Sequence, residues 1–209
     1  MKRIILSMLF LFLLVPAAGS EAQESSDPNM TVEERAKTIK LLVDSRQEYL
    51  EALENLTEAQ WSFKPSPFRW SVGEVAEHIL LTEGALFSAV QRALAQKANP
   101  DWKGKTAGKA EFIEKVVPNR SLKAQAPIEV RPSGKLSREE VVRRYKELRA
   151  KILEFTRETD LPLKAHTVEH PFPVFNTLNA YDWLIYIPLH NIRHNKQMAE
   201  VKASAGYPK

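Results

Sequence analysis

The spacing of apolar residues divides the chain into four helical stretches. Over 31–56, Ile39, Leu42, Tyr49, Leu53 and Leu56 recur at multiples of three and four, one stripe along a helix. Arg46 falls on the same line and is expected at its rim, stem packed and head in water. Thr31 followed by Glu34 is the reciprocal capping signature of a helix start. A second helix is expected over 71–97, where Ser71 and Glu74 repeat that signature and Trp70 is placed to staple onto Val75. Its inward face carries Val75, His78, Ile79, Thr82, Ala85, Leu86 and Ala89. A third helix, opened by Ser137 and Glu140, presents Val141, Tyr145, Leu148, Ile152, Phe155 and Thr159. The fourth, over 177–202, aligns Trp183, Tyr186, His190, His194, Gln197 and Val201. Pro188 lies inside it and predicts a kink, because an interior proline removes one helical hydrogen bond at a cost of ~3 kcal/mol.

The connections are short, long and short. In 57–69, Pro65 and Pro67 break any helix, and Trp61, Phe63 and Phe68, with Trp70 just beyond, form either an aromatic cap on the bundle end or a ligand-pocket wall. The stretch 98–136 contains Pro100, Pro118, Pro127 and Pro132, with a short helix expected over 111–117. Loops of that length are usually functional or partly flexible. The last connection, 160–176, holds His166 and His170. No segment alternates with strand period. The expected fold is all-α, an up-down four-helix bundle with a long connection between helices 2 and 3, spanning 31–203.

The first 22 residues stand apart. Lys2 and Arg3 precede an apolar run from Ile4 to Val15, and Ala18-x-Ser20 or Ser20-x-Ala22 offers a small-residue cleavage site. The run is shorter than the ~20 residues that a spanning helix needs. Residues 1–22 are therefore expected to be a signal peptide and 23–30 a polar tether. The mature protein is expected to be periplasmic or secreted, with no stable membrane anchor.

Composition narrows the chemistry. The 209 residues are 44% apolar and carry 30 basic and 26 acidic side chains, a net charge of +4. The charges are interspersed, so a solvated surface is expected and nucleic acid is not. There is no cysteine, which excludes disulfides, thiolate nucleophiles, iron–sulfur clusters and Cys-ligated zinc.

Histidine is left to carry the chemistry. His190 and His194 stand one turn apart on the same side of a helix, a spacing that lets two imidazoles grip one metal ion. Asn191 occupies the position where the zincin pattern His-Glu-x-x-His needs glutamate. His78 faces inward from the second helix, and bundles build metal sites from inward residues of facing helices. Three imidazoles would leave coordination positions for water or substrate. Glu74, one turn before His78, is a weak candidate base whose capping role competes with catalysis. Glu77 and Glu83 point further from the His78 direction and are weaker still. Asn191, Asn195 and Gln197 are candidate outer partners of the ligands, and Trp61, Trp70 and Trp183 candidate pocket walls.

Two segments, 70–78 from Trp70-Ser71 to His78 and 189–198 containing His190-Asn191-Ile192-Arg193-His194, resemble the DinB-like (DinB/YfiT) superfamily of metalloenzymes. The His170-Pro171 loop followed by Trp183 resembles that family's usual lead into its last helix. The resemblance implies a divalent metal ion, zinc or nickel foremost, held by His78, His190 and His194. It also implies a small-molecule substrate and a possible homodimer. Characterised relatives are transferases and isomerases that use cytoplasmic thiols, a compartment that an exported chain leaves. The expected function is an exported metal-dependent hydrolase or transferase. The alternative is a non-catalytic bundle that binds a metal or a small ligand.

Overall fold

The computed structural model describes residues 27–209. The expected signal peptide and the first half of the tether, residues 23–26, lie outside the described residues. Four long helices form the body: α1 (Val32–Leu53), α3 (Val72–Leu94), α6 (Arg138–Glu158) and α7 (Ala180–Lys202). Between them lie α2 (Glu58–Ser62), α4 (Trp102–Thr106), α5 (Lys109–Val116) and an antiparallel pair, β1 (Thr167–Glu169) and β2 (Thr177–Asn179). Helix α7 packs on α3 and α1, and α6 packs on the same two. The ring order is thus α1–α6–α3–α7, which sets α1 diagonally from α3 and α6 diagonally from α7.

Local chemistry sets the boundaries. The Thr31/Glu34 and Ser71/Glu74 boxes form as expected, each side chain bonding the other residue's backbone N–H. Helix α1 stops at Leu53 rather than Leu56 because Asn55 adopts a left-handed φ of 53°, a conformation asparagine tolerates. The expected aromatic turn contains α2, which Thr57 and Gln60 cap by the same device. Trp61 lies flat over α3: a Cβ on Gly73 would fall 2.5 Å from its ring, so only glycine permits that approach. Phe68 is 97% exposed and takes no part in the expected cap.

The start of the last helix also differs from expectation. Thr177, Leu178 and Asn179 pair with Glu169, Val168 and Thr167, and the helix begins at Ala180. Asn179 and Asp182 make the capping box that fixes this start. Strands of three residues are too short to display a period of two, so alternation along the chain gives no sign of them. From there α7 runs unbroken through Pro188.

The core has two apolar parts separated by a polar layer. Leu42, Leu86, Val90, Ile152 and Leu184 belong to one part, and Tyr49, Leu53, Val75, Ile79, Val141, Tyr145 and Met198 to the other. Along each long helix the sequence passes between them through a buried polar residue: Ser45, Glu83, Arg149 and Asn191. The inward face of α6 is therefore Val141, Tyr145, Arg149, Ile152 and Thr156, while Leu148 and Phe155 are only half-buried. The stripe expected from apolar positions is rotated from this face because it steps past the arginine.

Candidate metal centre

Helices α3 and α7 form the most extensive interface in the bundle, and three histidines meet inside it. His78 projects from α3, and His190 and His194 from successive turns of α7. All three are buried, and one ligand atom from each lies within 4.8 Å of the others. Ring centroids are 5.1 Å apart for His78 and His190, 4.6 Å for His78 and His194, and 4.3 Å for His190 and His194. Among the described residues the cluster consists of these three alone, with no carboxylate.

Hydrogen bonds fix how two of the rings present themselves. The Nδ1 of His78 lies 2.7 Å from the carbonyl oxygen of Val130, and a carbonyl only accepts, so Nδ1 carries the proton. The Nδ1 of His194 lies 2.7 Å from Oε1 of Gln197 and donates in the same way. In both neutral rings the lone pair is then on Nε2. Metal-binding histidines usually have one nitrogen tied to an oxygen and the other free for the ion. His190 differs: its Nδ1 is buried with no hydrogen-bond partner among the described residues. An orphaned buried nitrogen costs ~1–3 kcal/mol unless something else satisfies it.

Burial also sets the charge. It pushes His190 well below the usual histidine range, and the nearness of His194 and His78 pushes the same way. His194 is held well below that range by burial and then by His78, against the Gln197 bond. His78 is lowered by burial, against the Val130 bond. Three close rings cannot easily become three cations, so at neutral pH they are neutral donors. Buried and neutral imidazoles, two oriented from behind and one unsatisfied, fit a divalent cation.

The other candidates fall into place around this centre. Trp70 packs its ring 4.8 Å from that of His78 and forms a wall of the site. Trp61 is committed to Gly73, and Trp183 stacks on His170 at 4.8 Å. Gln197 is an outer partner, as its spacing from His194 allows. Asn191 and Asn195 are not: their amides bond Arg149, Tyr145, Ser45 and Glu48 in the polar layer. Glu74 spends one carboxylate oxygen on the Ser71 N–H at 2.8 Å and the other on Lys64 at 2.9 Å. Its role here is the helix cap. His166 bonds the Gln96 carbonyl and His170 lies in an aromatic stack, so neither joins the trio. Val130 could not be found from sequence, because its contribution is a backbone carbonyl.

The fold is a helical bundle with a buried histidine trio, between two of its long helices, that could hold a metal ion. Residues 41–198 match the DinB superfamily, and the chain belongs to that family. It is 28% identical over 169 residues to the uncharacterized protein YuaE of Bacillus subtilis, covering 76% of this chain and 93% of that one. Among solved structures it is similar to YfiT of Bacillus subtilis, described as "a probable metal-dependent hydrolase with an unusual four-helix bundle topology". That likeness has a TM-score of 0.59 at 14% identity, covers 86% of this chain and 91% of YfiT, and concerns the fold.

Proposed function

We propose that this protein is an exported metal-dependent hydrolase, with group transfer at the same centre as the related alternative, and that His78, His190 and His194 hold its divalent ion. The observation that carries the reading is the orphaned Nδ1 of His190 beside two rings already oriented by Val130 and Gln197. Imidazole donors suit zinc and nickel alike. A divalent ion at such a centre supplies a Lewis acid that activates water or polarises a substrate oxygen near neutral pH. The chain's own residues do the rest. Burial keeps the rings unprotonated, Val130 and Gln197 set their tautomers, and Trp70 shields the His78 side from solvent. Export is supported by the charged start, apolar run and small-residue cleavage sites of residues 1–22. N-terminal sequencing from the native host should begin near residue 21 or 23, and full-length protein confined to the cytoplasm would overturn that part.

One observation favours the non-catalytic alternative: among the described residues no carboxylate joins the trio, and Glu74 is occupied as a cap. Untagged protein loaded with zinc or nickel and assayed against ester, amide, phosphoester and thiol-transfer substrates separates the two. Turnover that disappears in His190→Ala supports the enzyme. Stoichiometric metal without turnover supports the binding bundle. A wild-type chain that takes up neither metal overturns both.

A further inference from the structure

Residues 117–134 run from the end of α5 to the threshold of α6, across the α3–α7 face that holds the histidines. Their two ends are tied down by residues directly next to metal-site histidines. At one end Arg193, adjacent to His194, donates to the carbonyls of Val117, Asn119 and Leu122. At the other end Glu77, adjacent to His78 and itself buried, accepts from Ser133 N–H at 2.9 Å, Ser133 Oγ at 2.7 Å and Gly134 N–H at 2.9 Å. Between these anchors the segment reaches the rings themselves. Val130 accepts from Nδ1 of His78. Arg120 donates from Nη1 to Oε1 of Gln197 at 3.2 Å, the same oxygen that accepts from Nδ1 of His194. The other guanidinium nitrogens of Arg120 clasp Glu200, at 3.1 and 2.7 Å.

We propose that residues 117–134 form a strap that positions the metal-binding histidines, and that Arg120 is a positioning residue acting on His194 through Gln197. This rests on the metal-centre reading above. An amide side chain can present either its oxygen or its NH2 to a neighbour. A guanidinium only donates, so Arg120 selects the rotamer in which Gln197 turns its oxygen inward. That oxygen in turn selects the His194 tautomer with Nε2 free. The strap thus governs two of the three ligands from behind, one through a backbone carbonyl and one through a two-step relay. Coupling of this kind is reciprocal: an ion that needs those tautomers also holds the strap in place.

The test is a zinc titration of the full mature chain against a chromogenic competing chelator, with hydrogen exchange of the strap measured before and after loading. Arg120→Ala should weaken zinc binding about tenfold, and Gln197→Leu by ~10–100-fold, the range seen when outer partners of metal ligands are removed. Glu200→Gln, which removes only the ion pair, should stay within about twofold of wild type. Zinc should slow exchange at the Ser133 and Gly134 amides in wild type, and less so in Arg120→Ala. Equal losses in Arg120→Ala and Glu200→Gln would assign the effect to surface charge and overturn the relay. Wild-type affinity in Arg120→Ala, with zinc bound and strap exchange unchanged, would overturn this inference alone. A wild-type chain that binds no zinc would overturn the metal centre as well.

Discussion

Two polar clusters are buried side by side in this bundle, and they are built on opposite plans. One is the pair Arg149–Glu83 with its neighbours. The guanidinium donates to both Glu83 oxygens, to the Leu42 carbonyl, to Ser45 Oγ at 2.9 Å and to Asn191 Oδ1 at 3.0 Å. Tyr145 donates to the same Asn191 oxygen at 2.8 Å, and Asn191 passes the chain on to Asn195. Both charged side chains are fully buried, and the cluster contains its own cation. The other cluster is the histidine trio, which has only donor atoms for a cation and, among the described residues, no anion and one nitrogen with no partner. The polar layer is complete as folded and fastens all four long helices, through Ser45, Glu83, Arg149 and Asn191. The trio is incomplete as folded. The satisfied cluster serves as the framework, and the unsatisfied one is the candidate metal centre.

That contrast can be broken most forcefully at Arg149. Arg149→Ala strands the buried Glu83 carboxyl, and breaking a buried pair from one side typically costs ~3–5 kcal/mol. The loss should register as a lowered urea midpoint, equally with and without zinc. Burial pushes Glu83 upward in pKa against the pull of Arg149, so the stranded carboxyl takes up a proton and softens the loss. A loss confined to the zinc-loaded form would mean that the polar layer serves the metal and not the frame.

Acid should act on the trio next. The folded pKa values of His190 and His194 lie well below the unfolded value near 6.5. The unfolded chain therefore binds more protons as pH falls through about 6.5, and stability present above that pH is lost on descent. The slope is ~1.4 kcal/mol per ring for each pH unit between the unfolded and folded values. The metal-free protein should show this slope in pH-dependent thermal melts, and His190→Leu should flatten it. His190→Leu should also leave the metal-free form no less stable at pH 8, since it replaces an unsatisfied nitrogen with an apolar group. An unchanged acid slope in the variant would show that the trio does not carry it. Smallest is Tyr145→Phe, which removes one of several bonds at Asn191 and should cost ~1 kcal/mol by urea unfolding. A cost near that of Arg149→Ala would make the tyrosine, not the arginine, the centre of the layer.

Much of this is legible in the sequence, and the exceptions share physical causes. Capping residues mark three of the long helix starts to within a residue, two as reciprocal boxes and Ser137 through its own side chain alone, because a cap is a local arrangement. His78, His190 and His194 can be placed on facing stripes because helical periodicity carries over into packing. The framework is harder to read. Arg149 sits one turn from Tyr145 on the inward face of α6, yet a search for apolar positions passes over arginine. Glu83 reads from its spacing as pointing away from His78, and it does point away, toward Arg149. Asn191 and Asn195 adjoin the histidines in sequence but turn to the layer. The hairpin of β1 and β2 rests on three residue pairs and depends on tertiary packing for its existence. The strap's grip on His78 uses a carbonyl that every residue possesses, so no residue type could signal it.

The central claim is that the trio is a site for one divalent ion. The most direct measurement is the metal stoichiometry of untagged protein after zinc loading and exhaustive desalting, for wild type and His190→Ala side by side, with circular dichroism to confirm that both are folded. One zinc per chain in wild type and none in the folded variant is the predicted result. One equivalent retained by His190→Ala, or none bound by wild type, would contradict it.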